Sequence, residues 1–422
     1  MRAFQKVIDV LGSFKRRVAG HPQYRRWRAF LTPPPYEGVR LTPTRLFNLY
    51  RMRRHFERGD AILRSYPVRL TVEATNVCNL RCPGCFTGLG EVGRTRSFMP
   101  IEFYNRLLDE LGPYLFQLEL YNWGESLLHK QLPEMIARAR RFGISTIIST
   151  NFSLPFDAAR AEGLVASGLN VLGVSLDGVR QETYEQYRVR GDFETVLRNV
   201  QLVNEAKRKL GSKTPRLVWE FHVFPHNAGD IDQAKALARE LGMDIEVSKG
   251  WVAGDDWQAK GAVAREVAAQ LNGSKGPRMP CTYLWDTAVV NNDGGAAACC
   301  GSFYRQDDFG RLKIDASDFG KERFKDIWNN WSYRESRQLF TERTGSKAVQ
   351  RLICFDCPVT VMWERFKRHT AGGGDPAAFD GGYSFNDGFM FFYERRNLWS
   401  KPGTPTPPAE SIALEPVEAR PS

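Results

Sequence analysis

The 422-residue chain lacks any apolar run of the ~18 residues that a membrane-spanning helix needs. Its first positions also lack the unbroken apolar stretch of a cleaved signal peptide, because Arg2, Lys6, Lys15, Arg16 and Arg17 interrupt it. Cysteine is sparse, with eight in all. Four disulfides are formally possible, but a chain this long forms its own core and needs no staples. The cysteines instead fall into short-spaced groups, which points to a reducing compartment and metal sites. A cytoplasmic location is the expectation. Acidic residues are scarce in residues 1–66, where four Asp/Glu stand against fifteen Lys/Arg. That net of +11 equals the formal charge of the whole protein, so the remainder is balanced.

The basic arm opens with "MRAFQKVIDVLGSFKRRVAG", which sets Phe4, Ile8, Leu11, Phe14 and Val18 at helical spacing. Such a helix either lies peripherally on an anionic membrane surface or packs on the main domain with a solvated basic face. No recognised nucleic-acid-binding module accompanies the charge, so no nucleic-acid partner is expected. Pro33–Pro35 and Pro43 are expected to break the rest of the arm into short helical pieces.

From residue 67 the pattern becomes a strand–helix alternation. Strands read at 68–75, 116–124, 144–151, 171–178, 216–224 and 244–250, each but the last followed by a helical segment. This implies an α/β fold with a parallel sheet and helices outside it. Six strands are too few for a closed (β/α)8 barrel, so a partial, open (β/α)6 TIM-like barrel is expected, with its active site at the C-terminal strand ends. The units read as a 1–66 basic helical region, a 67–250 barrel, a 251–276 linker, a 277–365 cysteine-rich extension and a 366–422 loop-rich tail. The last ~20 residues are Pro-rich without core-forming residues and are expected to be disordered.

"CNLRCPGC" follows the first strand directly and sets Cys78, Cys82 and Cys85 at gaps of three and two. The gaps suit metal ligation, yet zinc wants four ligands, and this loop offers three with no adjacent histidine. A metal centre with one open position is catalytic. The loop, the partial barrel and the motifs below resemble the radical S-adenosylmethionine (radical SAM) enzymes over residues 68–250. That resemblance implies a [4Fe-4S] cluster held by Cys78, Cys82 and Cys85, its fourth iron left for S-adenosylmethionine (SAM). A low-potential donor of flavodoxin or ferredoxin type is implied as the electron source. The product is a 5′-deoxyadenosyl radical able to take hydrogen from an unactivated carbon.

The resemblance also assigns roles after the later strands. Gly124 and Glu125 of "WGES" correspond to the segment that meets the methionine ammonium. Ser149 and Asn151 of "STN" are placed to bond its carboxylate or the ribose. Ser175 and Asp177 of "VSLDG" stand two apart, and so on one side of a strand, at the family's ribose site. Arg188 of "YRVRGDFE" takes the SAM carboxylate. Independently of the resemblance, Glu220 and His222 alternate onto one face of the fifth strand, opposite Trp219 and Phe221. They are candidates to bind substrate or move a proton, or else a satisfied polar pair at the barrel rim. Glu73 on the first strand invites the same question.

The extension is similar to a SPASM domain. Asp293-Gly294 signals a hairpin, followed by Cys299 and Cys300, then "CFDC". The resemblance makes Cys281, Cys299, Cys354 and Cys357 four ligands of one auxiliary [4Fe-4S] cluster, with Cys300 in reserve. A tetrahedral zinc suits four cysteines equally well. The expected activity is hydrogen abstraction from a small-molecule or envelope-glycan, lipid-linked substrate, leading to oxidation or epimerisation. Modification of a ribosomally made peptide is the alternative. A zinc-stabilised, non-enzymatic binding protein is the reading from another class.

Overall fold

The computed structural model describes residues 36–250, 252, 257, 281–314, 323–341 and 346–374. The basic helix expected at 1–20, most of the linker and the Pro-rich tail lie outside the described residues. The first element among the described residues is the helix α1 (Pro43–Arg58). Pro43 sits at its first turn, where a missing N–H costs nothing. Thr42 caps it through Arg45 N (3.2 Å), and Gly59 ends it in the left-handed conformation.

The alternation then runs β1 (Arg69–Val72), α2 (Ile101–Leu111), β2 (Gln117–Glu119), α3 (Leu132–Phe142), β3 (Ser145–Thr150) and α4 (Ala158–Ser167). It continues with β4 (Val171–Ser175), a short α5 (Gln181–Tyr184), α6 (Phe193–Lys209), β5 (Arg216–Val223), α7 (Ile231–Glu240) and β6 (Asp244–Lys249). The caps are local in origin. Asp157 accepts from Arg160 N and Asp192 from Thr195 N at the starts of α4 and α6. Gly143 and Gly168 close α3 and α4 with positive φ. Every strand is shorter than the sequence indicated, β5 and β6 by a single residue at their ends. β2 stops at Glu119 because "YNWG" leaves the ladder to approach the cysteine loop.

β1 to β6 pair in parallel and in sequential order. The outer face of the sheet is apolar: Leu70, Val72, Leu118, Leu120, Ile148, Leu172, Val174, Trp219 and Phe221 are fully buried under the helices. Each such side chain contributes about 1.5–3 kcal/mol of burial. The inner face carries Thr71, Glu73, Glu119, Ser149, Ser175, Glu220 and His222. The sheet is not closed.

The strands described in the extension all join this sheet. After α8 (Tyr283–Asp286), β7 (Thr287–Val290) runs parallel along the open edge of β1, with Arg69 opposite Thr287 and Val72 opposite Val290. β8 (Gly295–Ala297) and β9 (Asp308–Arg311) follow antiparallel, so the order is β6-β5-β4-β3-β2-β1-β7-β8-β9. Helices α9 (Phe324–Trp328), α10 (Trp331–Gln338) and α11 (Pro358–Ala371) complete it. The last runs across residue 366, where a loop-rich tail was expected.

Candidate active site

The loop after β1 leaves the C-terminal mouth of the sheet and turns tightly, with Cys85 N donating to Cys82 O (3.2 Å). The turn depends on Gly88, where a Cβ would stand 2.4 Å from Cys82 O. Cys82 is buried, and Cys78 and Cys85 are half-buried. Burial pushes the Cys78 thiol up to about 12, and the charges of Glu125, Cys82 and Cys85 add to it. Cys82 is pushed up to about 11, again mainly by burial. Burial raises Cys85 as well. Three thiols gathered in a dry loop resist ionisation until a cation compensates, as a metal-loaded site requires. Among the described residues, no three His/Cys/Asp/Glu side chains converge on a single-ion site. A [4Fe-4S] cluster takes one thiolate per iron, and the three cysteines of this loop supply a donor set of that chemistry.

The strand ends supply the surroundings of these sulfurs. Gly124 packs on the loop so closely that a Cβ would lie 2.0 Å from Thr75 O. Glu125 is buried, and its N donates to Val77 O (2.8 Å). Its carboxylate accepts from Leu127 N (3.0 Å), Thr150 Oγ1 (2.7 Å) and Asn151 N (2.8 Å). Glu125 therefore ties the loops after β1, β2 and β3 together. Asn151 Nδ2 donates to Asn79 Oδ1 (3.1 Å) and reaches Cys78 Sγ at 3.8 Å.

Asp177 is fully buried. It accepts from Arg188 Nε (2.6 Å) and His222 N (2.7 Å), with His222 Nδ1 at 3.1 Å. Burial alone would raise its carboxyl, but the charges of Arg188 and His222 outweigh that and hold it at about 2. The same Arg188 extends Nη1 to Cys82 Sγ (4.0 Å). Ser149 and Ser175 both donate to Glu220 Oε2, at 2.5 and 3.0 Å. Gly173 leaves the room this carboxylate fills, since a Cβ there would be 2.2 Å from Oε1. Glu220 and His222 thus share the inward face but do not touch each other. Each is fixed by a residue of β4 or the loop after it.

Cys281 precedes α8, Cys299 follows β8, and Cys354 and Cys357 precede α11. The Cys299 thiol is raised well above its ordinary value by burial, with Cys300, Cys354, Cys357 and Cys281 all adding charge repulsion. Burial pushes Cys281 up to about 12, with Cys357 contributing. The Cys300 Sγ lies 3.5 Å from the Tyr283 hydroxyl. Cys299 thus feels the charges of Cys281, Cys354 and Cys357 as well as that of its neighbour Cys300.

Sequence reasoning missed how the two cysteine-bearing units meet. Phe86, next to Cys85, and Trp123, next to Gly124, pack against Phe303 (5.2 Å each) of the β8–β9 loop. No local signal reveals a contact across about 200 residues of chain. Glu73 lies fully buried at this seam, its Oε1 accepting from Trp123 N (3.3 Å). Burial pushes its carboxyl up to about 7.

Residues 72–217 match the model of the Radical SAM superfamily, and residues 281–358 match that of SPASM, an iron-sulfur cluster-binding domain. The chain belongs to the radical SAM superfamily and carries a SPASM extension, so it is an iron-sulfur protein that binds SAM. It is 35% identical over 167 residues to Fe-coproporphyrin III synthase of Methanosarcina barkeri, covering 39% of each chain. It is 31% identical over 141 residues to PqqA peptide cyclase of Granulibacter bethesdensis, covering 33% of this chain and 37% of that one. These matches span about two fifths of the relatives' length. The fold is similar to that of Streptococcus suis SuiB bound to S-adenosylmethionine, with TM-score 0.54 and 14% identity over 84% of this chain and 86% of that one. Family members are enzymes. No helix among the described residues is long and apolar enough to cross a membrane.

Proposed function

We propose that Cys78, Cys82 and Cys85 hold a [4Fe-4S] cluster at which SAM is cleaved reductively. The resulting radical then takes hydrogen from a C–H bond of a polar small molecule or a lipid-linked envelope glycan. The observation that supports this best is the trio of thiols, one buried and two half-buried, at the C-terminal mouth of a parallel half-barrel, flanked by the Asp177–Arg188 pair. Cluster and SAM supply the hydrogen-abstracting chemistry when bound. The chain's residues supply position. Asn151 and Arg188 steady two of the thiols, while Gly124 and Glu125 shape the place of the methionine ammonium. Ser149 and Ser175 donate to Glu220 yet keep lone pairs able to accept from ribose hydroxyls. Asp177 fixes Arg188 for the SAM carboxylate.

In the same reading, Glu220 and His222 face the substrate. The Glu220 carboxylate is held through Oε2, and Oε1 accepts no hydrogen bond among the described residues, so it is free to bind or deprotonate a substrate hydroxyl. Cys281, Cys299, Cys354 and Cys357 hold one auxiliary [4Fe-4S] cluster, and a flavodoxin- or ferredoxin-type protein delivers the electron. The test is anaerobic turnover with deuterated candidate substrates and mass analysis of 5′-deoxyadenosine. Deuterium should appear in it. A reconstituted, reduced sample that never releases 5′-deoxyadenosine sinks the reading. The similarity to a PqqA peptide cyclase over a third of the chain favours a second reading, radical modification of a peptide. Deuterated peptides in the same assay decide between them.

A further inference from the structure

The seam between barrel and extension is built from a few side chains whose buried charges are met, while Asn292 Oδ1, Asn291 Nδ2 and Ser302 Oγ are buried without a hydrogen-bond partner among the described residues. Arg94, in the loop that begins at Cys78, has a side chain only 1% exposed. It grips Asp308 with both terminal nitrogens (2.8 and 3.1 Å), reaches Asp293 Oδ1 (3.0 Å) and donates Nε to Phe303 O (3.2 Å). Arg311 joins the same two aspartates at 3.0 and 3.1 Å. Asn292, at the tip of the β7–β8 hairpin, is fully buried in the loop and donates to Ser97 Oγ (2.6 Å) and Asn76 Oδ1 (3.2 Å). Asn76 in turn holds Thr95 O and Ser97 N. Two glycines vacate the space. A Cβ on Gly295 would stand 2.1 Å from Asp308 Oδ2, and one on Gly93 would stand 2.4 Å from the Phe303 ring.

Buried charges are expensive unless each one is met, and a network whose charges are paired serves registration better than stability. This network joins residues 93–97, shortly after Cys85, to residues 292–308, on both sides of Cys299. We propose that Arg94 and Asn292 are positioning residues that lock the cysteine loop to the hairpin, so that SAM bound at the loop is registered in the strands leading to Cys299. The proposal rests on the reading of that loop as the SAM site.

Hydrogen exchange of the anaerobically reconstituted protein, with and without SAM, tests it. In the native chain SAM should slow exchange about threefold or more in peptides from 78–91 and also in peptides from 287–311. In Arg94→Met the loop response should persist while the hairpin response disappears. Arg94→Lys should not restore it, because an ammonium cannot reproduce the planar fork. A merely structural role would quicken hairpin exchange equally with and without SAM and leave the response intact, which overturns the proposal. Should Arg94→Met fail to fold, Asn292→Ala cuts the other half of the lock without stranding a charge. A hairpin response preserved in it overturns the proposal equally. No response in 78–91 of the native chain would instead sink the SAM-site reading itself.

Discussion

Asp177→Asn removes one negative charge from a fully buried position and changes almost nothing in shape. Each pH unit by which a carboxyl's titration moves is worth ~1.4 kcal/mol. A carboxyl held at about 2 rather than at its ordinary 3.8 therefore contributes about 2 kcal/mol to folding at neutral pH. The variant also leaves Arg188 buried beside a neutral amide, and stranding one member of a buried pair costs about 3–5 kcal/mol. The oxygen of the introduced amide can still accept from His222 N, so the lower end, about 3 kcal/mol, is expected. The assay is urea unfolding at pH 7 of the native chain, Asp177→Asn, Arg188→Met and the double variant. The two single losses should exceed the double loss by about 2 kcal/mol. The sign with pH follows from the depressed carboxyl. Its contribution is complete above the ordinary value, is lost as pH falls from about 4 to about 2, and is absent from the variant. Single losses that add to the double within ~0.5 kcal/mol would refute the coupling.

Other outcomes are expected. Cys299→Ser should lower iron from about eight per chain towards four, whereas Cys300→Ser should leave it unchanged, as measured on reconstituted protein. A native value of about four, with zinc present, would assign the second site to zinc. Gly124→Ala must push its Cβ away from Thr75 O by more than 1 Å, so SAM cleavage should fall on the order of 10²-fold with iron content intact. If the basic arm meets anionic lipid, the full chain should pellet with anionic liposomes and a form lacking residues 1–20 should not. Equal pelleting would remove the membrane from the account.

The parallel half-barrel was legible because β-branched strands and amphipathic helices alternate in the order in which they pair. The cysteine loop was legible because its three cysteines lie within eight positions. The inward face of β5 was read correctly from alternation: Trp219 and Phe221 are core, and Glu220 and His222 are not. What the alternation cannot say is which partner each inward residue takes. Glu220 takes Ser149 and Ser175, while His222 takes Asp177, and those choices depend on the register between neighbouring strands. Pro43 was read as a break between helical pieces, and α1 starts at it, since proline suits the first turn of a helix and not a later one. The pairing of β7 with β1 was invisible because a strand of four residues more than 200 positions away carries no local mark of its neighbour.

That pairing limits how the molecule can be taken apart. β7 covers a row of backbone donors and acceptors that would otherwise lie bare along β1, and bare strand edges recruit other chains. A fragment ending before residue 281 would carry the complete three-thiol loop together with a sticky flank. The auxiliary unit is thus also a guard against self-association, and dissection by truncation would turn a question about electrons into one about solubility.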